Sequence, residues 1–150
     1  MPKLLLFAPC DRVIVSQNQV MSLINIIQGM ELGLGASATL GEGLVVPVPW
    51  TAAALWQRHS DEVDKVFEQK VEVVTPDSKK VEVGSLEFTF TQGIHRTLQN
   101  AQGFLISGEG EYNVVLSIRE KADTKRWQRA ASFPVIVSFK VPGTSTPPAL

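Results

Sequence analysis

Apolar and polar residues alternate through the middle of the chain. In the segment 81–91, Leu86, Phe88 and Phe90 fall on one side, whereas glutamate and threonine residues fall on the other. The same alternation recurs in 112–119, after a turn made of glycine and glutamate. A period of two, carried by β-branched and aromatic residues, is typical of a half-buried antiparallel strand. The pattern therefore predicts a strand in each of these two segments.

The two ends of the chain continue this pattern. Short apolar runs predict a strand at 3–7 and another at 11–15, with a proline between them. A further strand is predicted at 21–27, with a helix over 20–32 as the alternative, because β-branched residues favour extended backbone. Residues 127–140 predict the last strand, with four apolar side chains on one face. These side chains are Phe133, Val135, Val137 and Phe139.

The segments between these strands are less regular. Residues 66–75 alternate loosely and predict a strand that precedes a Pro-Asp turn. Residues 44–49 contain two prolines that cannot donate ladder hydrogen bonds, so they are expected at a sheet edge or in a connection. Residues 50–58 predict a strand, although three alanines leave a helix as the alternative. The polar segment 92–103 is expected to cross between two sheets and to lead into a short strand at 104–106.

These elements together predict an all-β fold. About eight or nine short strands, with turns at intervals of roughly 8–12 residues, are typical of a β-sandwich or barrel. Each strand has one apolar face to bury, which requires two layers. We expect an antiparallel, immunoglobulin-like β-sandwich domain over residues 1–141. The segment 142–150 lacks the apolar content needed to order itself, and we expect it to be flexible or docked on a partner.

Composition narrows the classes of function. The chain of 150 residues can form a core without disulfides or a structural metal. Its net charge is −1 and it has no run of lysine or arginine, so we expect no nucleic-acid binding. The apolar run at 4–8 is too short for a signal peptide, and no segment has the length of a transmembrane helix. We therefore expect a cytoplasmic protein that does not bind membranes.

Two further residues are expected to be structural. Cys10 is the only cysteine, which excludes an intramolecular disulfide and a cysteine-built zinc site, and we expect it to be a small buried residue. Tyr112 follows a turn and begins an alternating strand. Its hydroxyl group is expected to bond a nearby backbone carbonyl group, as in the tyrosine corner of immunoglobulin-like domains.

Four residues form the candidate ligand-binding site: Trp50, Trp56, His95 and Arg96. Indole rings stack on sugars or bases, and an adjacent histidine and arginine can bind an anion. The alternative for the two tryptophans is packing in the core or at its rim, because each ring buries a large area wherever strands meet. The alternative for the histidine–arginine pair is a solvated or backbone-bonded loop.

No pattern in the sequence indicates catalysis. A Ser-His-Asp relay of the hydrolase type needs a Gly-x-Ser-x-Gly elbow, which the chain lacks. His59 and His95 are the only histidines and lie far apart in the sequence, so we expect no metal site. The glycine-rich segment 33–43 lacks the lysine of a phosphate-binding loop. We expect neither enzymatic activity nor a cofactor.

Three short motifs occur in a recognisable order. They are an N-terminal hairpin that ends in Ser-Leu-x-x-Ile at 22–26, a Pro-Asp turn at 76–77, and a Gly-Glu-Tyr strand that starts at 110. In this order the chain resembles a family of small bacterial proteins of unknown function, over residues 3 to about 140. It departs from that family at Ser78, where a glycine is usual. The resemblance implies an immunoglobulin-like sandwich and supplies no reaction.

We therefore predict a non-catalytic interaction or assembly module that acts through its strand edges and loops. Its partner would be another protein or a second copy, in a homo-oligomer or in a larger particle such as that of a phage. The proline-marked segment 44–50 and the tail can both add to a partner chain. The alternative function is the binding of a small ligand, a carbohydrate or an anion, by the four residues of the candidate site.

Overall fold

The computed structural model describes residues 1–33, 43–124 and 126–140. In these ranges it contains eleven strands and a short 3₁₀ turn at Ser60–Glu62. The strands are β1 (Lys3–Val15), β2 (Met21–Ile26), β3 (Gly29–Gly33), β4 (Leu44–Val46), β5 (Trp50–Gln57), β6 (Val66–Val74), β7 (Lys80–Thr89), β8 (Ile94–Ala101), β9 (Phe104–Ile106), β10 (Gly110–Glu120) and β11 (Gln128–Lys140). The fold is all-β, as predicted. The predicted tail at 142–150 and most of the glycine-rich segment lie outside the described residues.

The strands form two large sheets and one small sheet. The four-stranded sheet has the order β2-β1-β5-β8, and the five-stranded sheet has the order β3-β11-β10-β6-β7. Strands β4 and β9 form a separate two-stranded sheet. Within the described residues, no helix has the length and apolar character needed to cross a membrane.

One strand pair corrects the prediction of a wholly antiparallel fold. Strand β3 lies parallel to β11, whereas the other pairs are antiparallel. The chain passes from one large sheet to the other at Ile27 and Gln28. The N–H group of Ile27 donates to the carbonyl group of Pro9 in β1, and the carbonyl group of Gln28 accepts from Ile136 in β11. After this change of sheet the next strand, β3, runs parallel to β11. The alternation of residues within a strand does not reveal such a pairing.

The predicted number of strands is not confirmed. The segment expected as a crossing between sheets contains β8, and the two strands predicted near the N-terminus are one continuous strand, β1. Pro9 does not end β1, because it pairs opposite Ala52 of β5 inside the sheet. The N-terminal part of β1 pairs with β5 up to Cys10, and its later part pairs with β2. Cys10 is buried, as predicted.

Both large sheets contribute to one hydrophobic core. The inward faces predicted for β10 and β11 are confirmed, since their alternate residues are buried or packed against the core. These residues are Tyr112, Val114, Leu116, Ile118, Phe133, Val135, Val137 and Phe139. Phe88 in β7 and Phe90 just after it are also buried, and their rings contact each other edge to face with the centroids 5.5 Å apart.

The predicted hydrogen bond from Tyr112 to a nearby backbone carbonyl group is confirmed. Its hydroxyl group donates to the carbonyl group of Gly108 at 2.8 Å and accepts hydrogen bonds from the backbone N–H groups of Ser107 and Gly108 at 2.8 and 3.1 Å. Two residues earlier, Gly110 has a φ of +136°, and a Cβ atom there would lie 3.0 Å from the Pro76 ring. The Gly-Glu-Tyr motif and the Pro-Asp turn therefore meet in space.

We expect the change Tyr112→Phe to lower the free energy of unfolding by about 1–3 kcal/mol, because the half-buried N–H groups of Ser107 and Gly108 lose their acceptor. Urea unfolding monitored by circular dichroism measures this change. The matched control is Asn113→Ala, a half-buried neighbour on the opposite face of β10, with an expected effect of about 0.5 kcal/mol or less. An equal loss in the two variants would contradict the role of the hydroxyl group.

Candidate functional site

The two tryptophans of the predicted ligand site face the core. Trp50 and Trp56 lie at opposite ends of β5, and each is 1% exposed. The indole N–H group of Trp50 donates to the carbonyl group of Gly103 at 3.0 Å, and that of Trp56 donates to Gln69 Oε1 at 2.9 Å. Both rings are therefore enclosed and both N–H groups are bonded within the protein. Neither ring presents a face to solvent on which a sugar can stack.

The histidine and the arginine lie on opposite faces of β8. His95 pairs opposite Trp56, and its ring stacks on Phe88 with the centroids 4.8 Å apart. Arg96 pairs opposite Leu55 on the outer face, where it donates to Gln19 Oε1 at 3.4 Å. The structure therefore brings Trp56 and His95 together, and it separates them from Trp50 and Arg96. Ligand binding by these four residues stays a prediction.

Packing against aromatic rings also affects the charge of His95. Burial lowers the pKa of His95 below its ordinary value, and the neighbouring positive charge of Arg96 lowers it further. Both effects act in the same direction because both penalise the charged imidazolium. The neutral ring is thus the form that the core accommodates.

A buried polar cluster connects the two large sheets behind His95. At its centre is Gln69 of β6, which is fully buried. Gln69 Oε1 accepts hydrogen bonds from Trp56 and from the hydroxyl group of Thr97 at 2.8 Å, and its Nε2 donates to Gln99 Oε1 at 3.2 Å. Trp56, Thr97 and Gln99 all belong to the opposite sheet. Our sequence predictions did not include this cluster, although its polar residues occupy the inward positions of their strands.

One atom of this cluster has no partner. Gln99 is only 8% exposed, and its Nε2 atom makes no hydrogen bond to the described residues. A buried donor without an acceptor costs about 1–3 kcal/mol, and because the atom itself is buried, an acceptor from outside does not reach it in this conformation. The atom points towards β7 at Gly84, where a Cβ atom would lie only 2.9 Å from it. The glycine leaves the space that the amide occupies.

A cleft of about 310 Å³ lies close to Gln99, between β7 and the turn that joins β8 to β9. Its walls combine apolar residues with polar ones, namely Val81, Val83, Ala101, Phe104 and Leu105 on the one hand and Glu82, Asn100 and Gln102 on the other. Strand β7 carries a bulge here, because the register with β6 shifts between Val71 and Glu72. Bulges commonly re-aim side chains at sheet edges and next to functional sites.

The four edge strands of the large sheets differ in regularity. Strand β2 contains Asn25 at a φ of +52°, β3 is five residues long with glycine at both ends, and β7 carries the bulge. Strand β8 has eight residues in unbroken register with β5 and contains neither glycine nor proline. Two of its outward side chains are apolar, Ile94 at 52% and Leu98 at 37% exposure. Since natural proteins usually shorten, bend or charge an exposed edge, β8 is the least protected edge of the described fold.

Comparisons with known proteins add no assignment. No family model matches the chain, and no curated protein matches it. Among the described residues, no three histidine, cysteine, aspartate or glutamate side chains are grouped so that they can hold a metal ion. The features that the described residues offer include the edge of β8 and the cleft beside β7.

The position of His95 predicts a pH-dependent stability. Because the folded pKa is lowered, the unfolded chain binds a proton at a pH at which the folded protein does not. The free energy of unfolding should therefore fall as the pH drops below about 6.5, the ordinary histidine value. Urea unfolding at pH 8.0 and pH 5.5, in the wild type and in His95→Phe, measures the contribution of this ring.

The variant keeps an aromatic ring against Phe88 and should show a smaller loss of stability on acidification than the wild type. The matched control is His59→Asn, since His59 is the other histidine and is exposed. This control should retain the dependence that His95 causes. An unchanged pH dependence in His95→Phe would contradict the prediction.

Proposed function

We propose that this protein is a non-catalytic interaction or assembly module that binds an extended segment of another chain along β8. The observation that carries the proposal is the edge itself, a regular eight-residue strand without glycine, proline or bulge. An added strand pairs with the free N–H and C=O groups of such an edge, and neighbouring side chains provide selectivity. The exposed side chains of Ile94 and Leu98 supply apolar contacts beside those groups.

We further propose that the architecture is an immunoglobulin-like sandwich, and the strand order supports this. The row β1-β5-β8 corresponds to strands A, B and E, and the row β11-β10-β6-β7 corresponds to G, F, C and C′. The hydrogen bonds of Tyr112 agree with a tyrosine corner at the start of strand F. In constant-type domains a fourth strand, D, follows E in the sheet. The corresponding position beside β8 is unfilled by the described residues.

The resemblance to a bacterial family of unknown function is compatible with this role. A module of this kind can serve in a homo-oligomer or in a larger particle, because strand addition joins chains without any need for a catalytic group. The backbone of β8 supplies affinity and its outward side chains select the partner.

A test of the proposed edge is the change Leu98→Lys, which places a charge on the outer face of β8 and leaves the core residues untouched. Tagged protein is isolated from its native cells after mild crosslinking, and the retained proteins are identified by mass spectrometry. We expect at least one protein, or an untagged copy of the chain, to be recovered with the wild type and lost with the variant.

The matched control is Ile136→Lys, which changes an exposed apolar residue of β11 on the other large sheet. It should retain every protein that the wild type retains. Identical recovery by the two variants would overturn the assignment of β8 as the interaction edge.

A second candidate function is the binding of a small ligand, a carbohydrate or an anion, in the cleft beside β7. The lining of the cleft favours it, since Phe104 supplies apolar surface and Asn100 supplies a polar amide beside it. Trp50 pairs opposite Ala101 and is bonded to Gly103, and both of these residues are in the wall of the cleft.

A thermal-shift screen with monosaccharides and inorganic anions tests this second function. A ligand that binds only the folded protein raises the melting temperature, by the mass-action effect of binding on the folding equilibrium. The shift should disappear in Asn100→Leu, which changes a polar residue of the cleft wall, and persist in Ile136→Lys, which lies outside the cleft. A shift of equal size in both variants would place the ligand elsewhere.

A further inference from the structure

We propose that the segment that pairs with β8 is β8 of a second copy, in an antiparallel arrangement centred on Leu98. This inference deepens the proposed function and rests on it. A two-fold axis through the edge would join two four-stranded sheets into one sheet of eight strands. Two-fold symmetric contacts are the commonest form of association between identical chains, because one surface patch serves both partners.

The charges along β8 disfavour one alternative register. A pairing centred on Arg96 places two guanidinium groups opposite each other, which is unfavourable on a shared face. A pairing centred on Leu98 instead places Arg96 opposite Asn100 of the second copy, and it places the two leucine side chains against each other. The net charge of −1 per chain adds little repulsion between the copies.

The inward side chains are compatible with the same register. In the pairing centred on Leu98, Gln99 lies opposite Thr97 of the second copy, and both side chains are on the inner face. Each stays bonded to Gln69 of its own chain, so the pairing leaves the polar cluster of both copies intact.

The outer face of the sheet suits this contact. Leu98 pairs opposite Ala53 of β5, which in turn pairs opposite Ala8 of β1. These small residues leave Leu98 as the large side chain in its row, 37% exposed in the single chain. Two such side chains in contact across the axis would bury apolar surface that the single chain leaves in water.

The deciding experiment is site-specific disulfide crosslinking of the full chain, with Cys10→Ala as the background. Residues directly opposite in an antiparallel pair have Cβ atoms about 4.5–5.5 Å apart, close to the separation that a disulfide needs. We expect Leu98→Cys to form a covalent dimer under mild oxidation. We also expect Arg96→Cys and Asn100→Cys to crosslink to each other when mixed, but not when either is oxidised alone. The control Ile136→Cys, exposed on the other large sheet, should stay uncrosslinked.

Light scattering supplies a readout that needs no cysteine. The wild type should approach twice 16.4 kDa as its concentration rises, whereas Leu98→Lys should dissociate with a Kd at least about tenfold higher. A thermal melt of each variant confirms that it is folded. A wild type that stays monomeric together with an uncrosslinked Leu98→Cys would overturn the inference, and crosslinking of Arg96→Cys to itself would overturn the register.

These outcomes are separable from failure of the proposed function. If Leu98→Lys loses a different protein in the cell while Leu98→Cys forms no dimer, β8 remains an interaction edge and self-pairing is wrong. If Leu98→Lys recovers the same proteins as the wild type and Leu98→Cys forms no covalent dimer, both proposals fail together.

Discussion

The side-chain amide of Gln69 is the interaction on which the packing of the two large sheets depends. Its oxygen accepts two hydrogen bonds from the opposite sheet, and its nitrogen donates a third to that sheet. A polar group that is fully buried must keep its partners, because an unmade hydrogen bond in the interior costs its full desolvation penalty. Apolar side chains can slide past one another at little cost, but a slide of one sheet would break these bonds. The amide therefore specifies one alignment.

This alignment also determines the character of the edge at β8. Thr97 and Gln99 point inward to reach Gln69, so the apolar Leu98 between them points outward. The strand is thus polar on its buried face and partly apolar on its exposed face, which inverts the usual arrangement. Within the described part of the chain, this edge combines backbone groups that no further strand pairs with and exposed apolar surface, the combination that favours strand addition.

The opposite end of the fold is held in a different way. The hydroxyl group of Tyr112 bonds three backbone groups of the preceding turn, while Gly110 allows the Pro76 ring to approach closely. The tyrosine thus holds the turn that precedes β10, and the glycine lets the turn that follows β6 pack against the start of β10. Between the level of the tyrosine and that of the polar cluster the core is apolar, with Val71, Val114 and Leu116 buried there.

The sequence by itself determined the all-β class and the buried faces of β10 and β11, because a period of two is a local consequence of the pleated backbone. It also indicated the hydrogen bond of Tyr112 and the burial of Cys10. It did not determine β8, since the buried residues of that strand are polar and their partners lie far away in the chain. Of the candidate site, only Trp56 and His95 came together. The tertiary structure decided the inward position of both tryptophans, the parallel pairing of β3 and the open edge, because each depends on which distant strand lies alongside, and alternation within one strand carries no information about its neighbour.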